Sequence, residues 1–319
     1  MHFGFTDDEL LLRDAVRALF ERECPPDVVR AAWDAESLDR RVWDALAQMG
    51  VPGVLVAEAS GGLGLDELSL VLLLEESGRA ALPHPMVETA AVAAPLLGAG
   101  LGARLVATDL GGVLVPCAGD ADLLLLRAPD GLRAFERAAV TVVPEPTVDR
   151  ARRAGLVQCR PEDGTLVTGD EGAIDLAFDR GALGTAAQLV GLAQRMLELT
   201  VAYAKERRQF GVPIGSFQAV KHRLADALLQ VEFARPAVHR AAWSVAHDVA
   251  DRARDVSMAK AMASDAALHV AGAALQCHGA IGYTVEYDLH LWMKRAWALA
   301  RAWGDGGWHR DRVGRAIGV

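Results

Sequence analysis

The chain has 319 residues, 52% of them hydrophobic, 24% charged, and a formal net charge of −9. That apolar content excludes a disordered chain, and the length exceeds a usual single core, so two or three domains are expected. An acidic balance without a Lys/Arg run gives no nucleic-acid or anionic-membrane footprint, and four scattered cysteines (Cys24, Cys117, Cys159, Cys277) without a CxxC pair offer neither a zinc site nor a disulfide framework.

The opening stretch MHFGFTDDELLLRDAV is acidic and amphipathic, unlike a signal peptide. Residues 6–23 read as a helix with Thr6 as N-cap and acids in the first turn. Residues 39–49 and 66–80 repeat that character around the loop EASGGLGLDE, and an Ala/Leu-rich helical stretch follows at 86–106. The most apolar run, 89–103, is too short to span a bilayer and is followed by Arg104. No membrane span is expected, and the expected setting is a reduced cytoplasm. GAGLGA at 98–103 lacks the GxGxxG spacing and follows a helix-like stretch, so it is no nicotinamide fingerprint.

The texture changes near residue 110. GGVLVP, ADLLLLRA, AAVTVV and GLVQCR are short β-rich runs, and PDG at 129–131 is a turn signal, so 108–178 reads as a small β unit. From about 181 the pattern is helical again over 182–207, 218–248, 252–275 and 285–302, with Pro236 expected to kink its helix. A helix of about 30 residues is about 45 Å long, so this half reads as an antiparallel four-helix bundle. The expected fold is mostly α, in three parts: 1–107 helical, 108–180 a shortened β domain, and 181–319 the bundle.

Two bundle segments carry candidate chemistry. In ERRQFGVPIGSFQAVKHRLAD (206–226), Arg207 and Arg208 end a helix and Gly211 and Pro213 stop it. Capping by cations explains this stretch; so does a guanidinium grip on a diphosphate with Gln218 nearby as amide donor. In LQCHGAIGYTVEYDLHLWMKRAW (275–297), a helix breaks at His278–Gly282 and a new one is expected from about Thr284. This is either an ordinary joint or a loop whose glycines admit a ligand close to the backbone.

Together, YAKERRQFGVPIGSFQAVKHRLAD and QCHGAIGYTVEYDLHLWMKRA resemble the C-terminal domain of the acyl-CoA dehydrogenase family of flavoproteins, and GGLGLDELSLVLLLEESGRA is similar to its N-terminal glycine-rich loop and helix. The resemblance implies FAD as cofactor, an acyl-CoA substrate and an acceptor such as electron-transfer flavoprotein. It implies that Arg207, Gln209, Phe210 and Gln218 contact the FAD of a neighbouring subunit. Gln276, Gly279, Ala280 and Gly282 would approach the dinucleotide from the other subunit of the pair.

The sequence departs from the family in three places. The family's Thr-Glu-Pro-Gly-x-Gly-Ser-Asp loop and its Trp-containing partner are missing, and VPEPTVDR (143–150) shares only Glu-Pro. The family's catalytic Glu falls at Trp303, with Asp305 two residues on as candidate base or turn-former. An alternative Glu position on the helix before the first motif falls at Gly181, with Asp179 nearby as an expected N-cap. Short subunits of heteromeric bacterial family members, including α2β2 assemblies that shorten steroid side chains, are similar. A heteromer whose full-length partner supplies the Glu, a homo-oligomer using Asp305 or Asp179, and a non-catalytic scaffold are the three readings this leaves.

Overall fold

The computed structural model describes residues 4–112 and 114–319, with the side chain of Ala99 also outside the description. Residues 1–3 of the opening segment and Val113 of GGVLVP therefore lie outside the described residues.

The first helix, α1 (Asp7–Glu23), starts where its sequence says. Thr6 Oγ1 accepts from the Glu9 amide and the Glu9 carboxylate accepts from the Thr6 amide, a reciprocal capping box. Next come α2 (Pro26–Asp34), α3 (Arg41–Gln48) and α4 (Glu67–Arg79), the last capped by Asp66 on the Leu68 and Ser69 amides. The expected helix at 86–106 is much shorter. A π-type turn over Val87–Ala93 runs into α5 (Ala94–Leu97) and stops at Gly98.

Strands β1 (Val106–Asp109), β2 (Leu123–Ala128), β3 (Gly131–Glu136), β4 (Thr141–Pro144), β5 (Gly155–Gln158) and β6 (Thr165–Thr168) form the β unit. A four-stranded sheet has the order β1-β2-β3-β6, with β1 parallel to β2, and β4 pairs with β5. The PDG turn joins β2 to β3. A Cβ on Gly131 (φ +140°) would sit 2.1 Å from the Thr168 carbonyl, so only glycine fits.

The C-terminal half contains α6 (Glu171–Glu206), a two-stranded turn of β7 (Arg208–Gln209) and β8 (Val212–Pro213), α7 (Gln218–Ala246), α8 (Arg252–His278), α9 (Leu289–Leu299) and α10 (Gly306–Ile317). Two boundaries differ from expectation. Asp170 caps α6 through the Gly172 amide, so the helix begins well before 182 and Asp179 is interior to it, not an N-cap. Chain from 284 to 288 is turn, so α9 starts at Leu289. Helix α7 continues through Pro236.

Helices α4 and α6 pack backbone to backbone. A Cβ on Gly191 would lie 1.9 Å from the Glu75 carbonyl, and one on Gly78 would lie 2.1 Å from that of Gln188. The buried residues of the first and third parts form one hydrophobic cluster, and a smaller one around Leu124 and Phe135 sits under the sheet. Buried ion pairs fasten the reduced β unit: Arg295 to Asp149 and Arg152 to Glu88. Among the described residues, no helix is long and apolar enough to cross a membrane.

Candidate functional site

Short turns join α6 to α7 and α7 to α8, so the C-terminus of α6, the N-terminus of α7 and the C-terminus of α8 share one end of the bundle. Side chains fix that end. The Tyr203 ring of α6 stacks on His278 of α8 with centroids 4.3 Å apart. His278 Nδ1 lies 2.8 Å from the Ala274 carbonyl and Nε2 lies 3.2 Å from the Tyr287 hydroxyl. With Nδ1–H donating to the carbonyl, Nε2 accepts from Tyr287. Burial holds the His278 pKa below its ordinary value, so the ring works as neutral glue rather than as an acid.

On this frame the first motif forms a tight hairpin. Phe210 (φ +55°) and Gly211 (φ +83°) both take left-handed backbone, the pattern of a two-residue turn between paired strands. A phenylalanine there is strained and 92% exposed, and its ring meets that of Phe217 edge-on at 6.2 Å. Arg207, Gln209, Gln218 and Gln276 are exposed. The only side-chain bond among these four is Gln209 Nε2 donating to the Arg208 carbonyl at 2.8 Å. Lys205, Arg207, Arg208, Lys221 and Arg223 have no ion pair among the described residues, despite a chain that is acidic overall. Exposed cations without an ion pair, beside exposed amide donors, are the chemistry a dinucleotide diphosphate requires. The residues present fit that group.

The second motif is divided. Gly279 (φ +66°) is exposed, and an added Cβ there would meet nothing within 4 Å, so its backbone is open to approach; Ala280 beside it is exposed as well. Gly282 is buried, and its added Cβ would come within 3.0 Å of the His278 Cβ and 3.1 Å of Leu275. Packing, not ligand access, explains that glycine.

The two positions where the sequence lacks the expected glutamates are in direct contact. The Trp303 indole lies on Gly181, where a Cβ would come within 2.6 Å of the ring. No carboxylate lies in that contact. Asp305 caps α10, its Oδ1 accepting from the Trp308 amide at 2.9 Å, and that backbone bond holds its pKa below the ordinary carboxylate range, which weakens it as a base. Asp179 is buried between Arg312 at 2.6 Å and Arg252 at 3.6 Å. Burial pushes its carboxyl up while the guanidiniums oppose that, so it is committed to an ion pair inside the helix.

From Gly181 to Arg207, α6 rises about 39 Å at 1.5 Å per residue. The Trp303 contact and the cationic end therefore stand far apart in one chain, too far for one bound dinucleotide to serve both.

Sequence reading did not single out Lys260. Its side chain is completely buried, and Nζ lies 3.1 Å from the Gly304 carbonyl, 3.3 Å from that of Ala300 and 3.2 Å from Ser264 Oγ. Burial pushes its pKa down to about 7, opposed by Asp305. The signal was present: Lys260 falls in the stripe of Val256, Ala263 and Ala267 that faces the core.

Family models match residues 6–102 as the acyl-CoA dehydrogenase N-terminal domain and 172–318 as its C-terminal domain. The chain is 36% identical over 310 residues to the acyl-CoA dehydrogenase IpdE2 of Mycolicibacterium smegmatis, covering 94% of this chain and 95% of that one. Among solved structures it is similar to the ChsE4–ChsE5 complex of Mycobacterium tuberculosis, with TM-score 0.88, 25% identity, and 100% and 99% of the two chains covered. It is also similar to the Tcur3481–Tcur3483 steroid acyl-CoA dehydrogenase variant, with TM-score 0.88, 27% identity and 98% of each chain covered. Mostly helical, with both domain models matched in order, the chain belongs to the acyl-CoA dehydrogenase family of FAD-dependent oxidoreductases.

Proposed function

We propose that this chain is one subunit of a heteromeric acyl-CoA dehydrogenase, in which it helps hold FAD while a full-length partner supplies the catalytic glutamate. The observation that carries this is the separation along α6: cations without an ion pair at one end, and at the other an indole on a glycine where neither expected glutamate is present. The reaction is α,β-desaturation of an acyl-CoA thioester, with a bulky, steroid-derived acyl group as the preferred class. Support for that class comes from the relatives, one of them a two-protein complex and another a steroid enzyme by name.

In this reading the cationic end abuts a neighbouring subunit. Arg207 offers its guanidinium fork to the diphosphate, Gln209, Gln218 and Gln276 donate amide hydrogens, and the exposed Phe210 ring covers an apolar part of the dinucleotide. Gly279 and Ala280 let the backbone come close, and Gly282 keeps the loop seated on His278. When bound, the flavin supplies the hydride acceptor. The α-proton goes to a carboxylate on the partner, because in this chain Asp305 and Asp179 are committed elsewhere. An α2β2 arrangement and electron-transfer flavoprotein as electron acceptor complete the proposal.

The test is co-expression with a full-length family member encoded nearby. Flavin and dehydrogenase activity that arise only when both chains are present support the reading. An active homotetramer of this chain alone refutes it.

A further inference from the structure

The loop between α9 and α10 is held with more force than a connection needs. Trp303 has φ +57°, a left-handed backbone that a bulky side chain avoids, and Gly304 follows at φ +88°. Such strain persists only where the surroundings over-determine it. Two buried groups do so here. Lys260 has three ammonium donors and finds three acceptors, two of them the carbonyls of Ala300 and Gly304. His309 is fully buried, with Nε2 2.8 Å from the Trp303 carbonyl and Nδ1 3.1 Å from Ser257 Oγ. Clamped from both sides, the indole lies flat on Gly181 and edge-on to Phe178 at 6.0 Å.

Trp303 also faces open space. With Phe178, Trp308, Arg301, Glu88 and Asp109 it lines a cavity of about 400 Å³ between the β unit and the bundle. The indole thus stands as a wall between this cavity and the surface of α6 at Gly181.

We propose that Trp303 is a plug, seated on Gly181 by the Lys260–His309 clamp, which excludes acyl-CoA from this chain's own fold. This rests on the heteromer reading for its consequence: thioester binds at the partner's site alone, one per pair rather than one per chain. Lys260 and His309 act through Trp303 and are positioning residues.

The experiment counts hexanoyl-CoA bound per copy of this chain by equilibrium dialysis, on the protein as it purifies, alone or in complex. Trp303→Gly removes the plug, and the glycine accommodates the left-handed backbone. Gly181→Ala acts from the opposite face, its new methyl expelling the indole. Each variant gains one hexanoyl-CoA per copy of this chain, from none to one in the isolated chain and from one to two per pair in the complex. Wild-type protein that already binds one thioester per copy of this chain overturns the proposal. So does either variant if it folds, by circular dichroism, and binds no more than wild type. Absence of a heteromer would sink the subunit assignment and leave the none-to-one count readable.

Discussion

Lys260→Met is the most informative single stability test, because the structure sets both its sign and its size. A lysine ordinarily titrates near 10.5, and burial brings Lys260 down to about 7. Between those values the unfolded chain holds the proton more firmly than the folded one, so stability rises with pH across that window. Integrated, the difference is on the order of 5 kcal/mol, fully present as a penalty below pH 7 and relieved by pH 10.5. The charge that bears on Lys260 is that of Asp305, which opposes the shift; His309 is held near 4 by burial and is neutral from pH 6 to 10. Methionine removes the titration but leaves the Ala300 and Gly304 carbonyls without a donor, at about 1–3 kcal/mol each. Urea unfolding at half-unit steps from pH 6 to 10 gives the comparison. Wild type gains stability relative to Lys260→Met as pH rises through 7, so the variant compares best at pH 6 and worst at pH 10. Parallel stability curves for the two proteins would refute the assignment of a buried, largely desolvated amine.

Arg207→Ala lowers FAD affinity at least about tenfold, from the loss of a charge-assisted contact of about 1.5–3 kcal/mol, while the melting temperature of the apoprotein is unchanged; flavin fluorescence titration reads the first and calorimetry the second. Gly191→Ala forces a methyl against the Glu75 carbonyl and costs more than about 2 kcal/mol in urea unfolding, as overpacking between rigid helices does. Asp179→Asn leaves Arg312 and Arg252 beside a neutral amide in a buried site and destabilises by about 3–5 kcal/mol, again by urea unfolding. Asp305→Asn keeps the α10 cap and leaves turnover of the complex unchanged, whereas Asp305→Ala loses about 1 kcal/mol of stability with kcat intact; a large kcat loss in the Asn variant would return Asp305 to the catalytic role.

The legible parts of the sequence were those whose cause is local. Thr6 and Glu9 announce α1, Asp66 announces α4, and PDG announces the β2–β3 turn, because each signal is a backbone group satisfied within a few residues. The sequence pattern places the start of α6 near 182, with Asp179 as its N-cap, yet the helix begins at Glu171 and runs straight through Gly181 and Gly184. The first of these glycines faces the Trp303 ring and the second faces Leu74 and Val87, a tertiary reason that sequence does not display. Helix α2 went unread although Pro26 opens it and Val29, Ala32 and Trp33 fall on one face; nine residues are marginal as an isolated helix, and its stability comes from burying that face. The candidate site divided the same way. Arg207 and Gln218 could be picked out by motif, but their lack of protein partners could be seen only in three dimensions, as could the meeting of Trp303 with Gly181 across 122 positions of chain.

The central claim is that this chain holds flavin for a site it does not complete. Its most direct test is to purify the chain alone and with a full-length family partner, and to count FAD and turnover in each. The account predicts FAD and acyl-CoA oxidation in the complex, both lost when the partner's catalytic Glu is changed to Gln or Arg207 of this chain to Ala, and no turnover from this chain alone. Turnover by the isolated chain, or a complex whose FAD content and activity ignore Arg207, would contradict it.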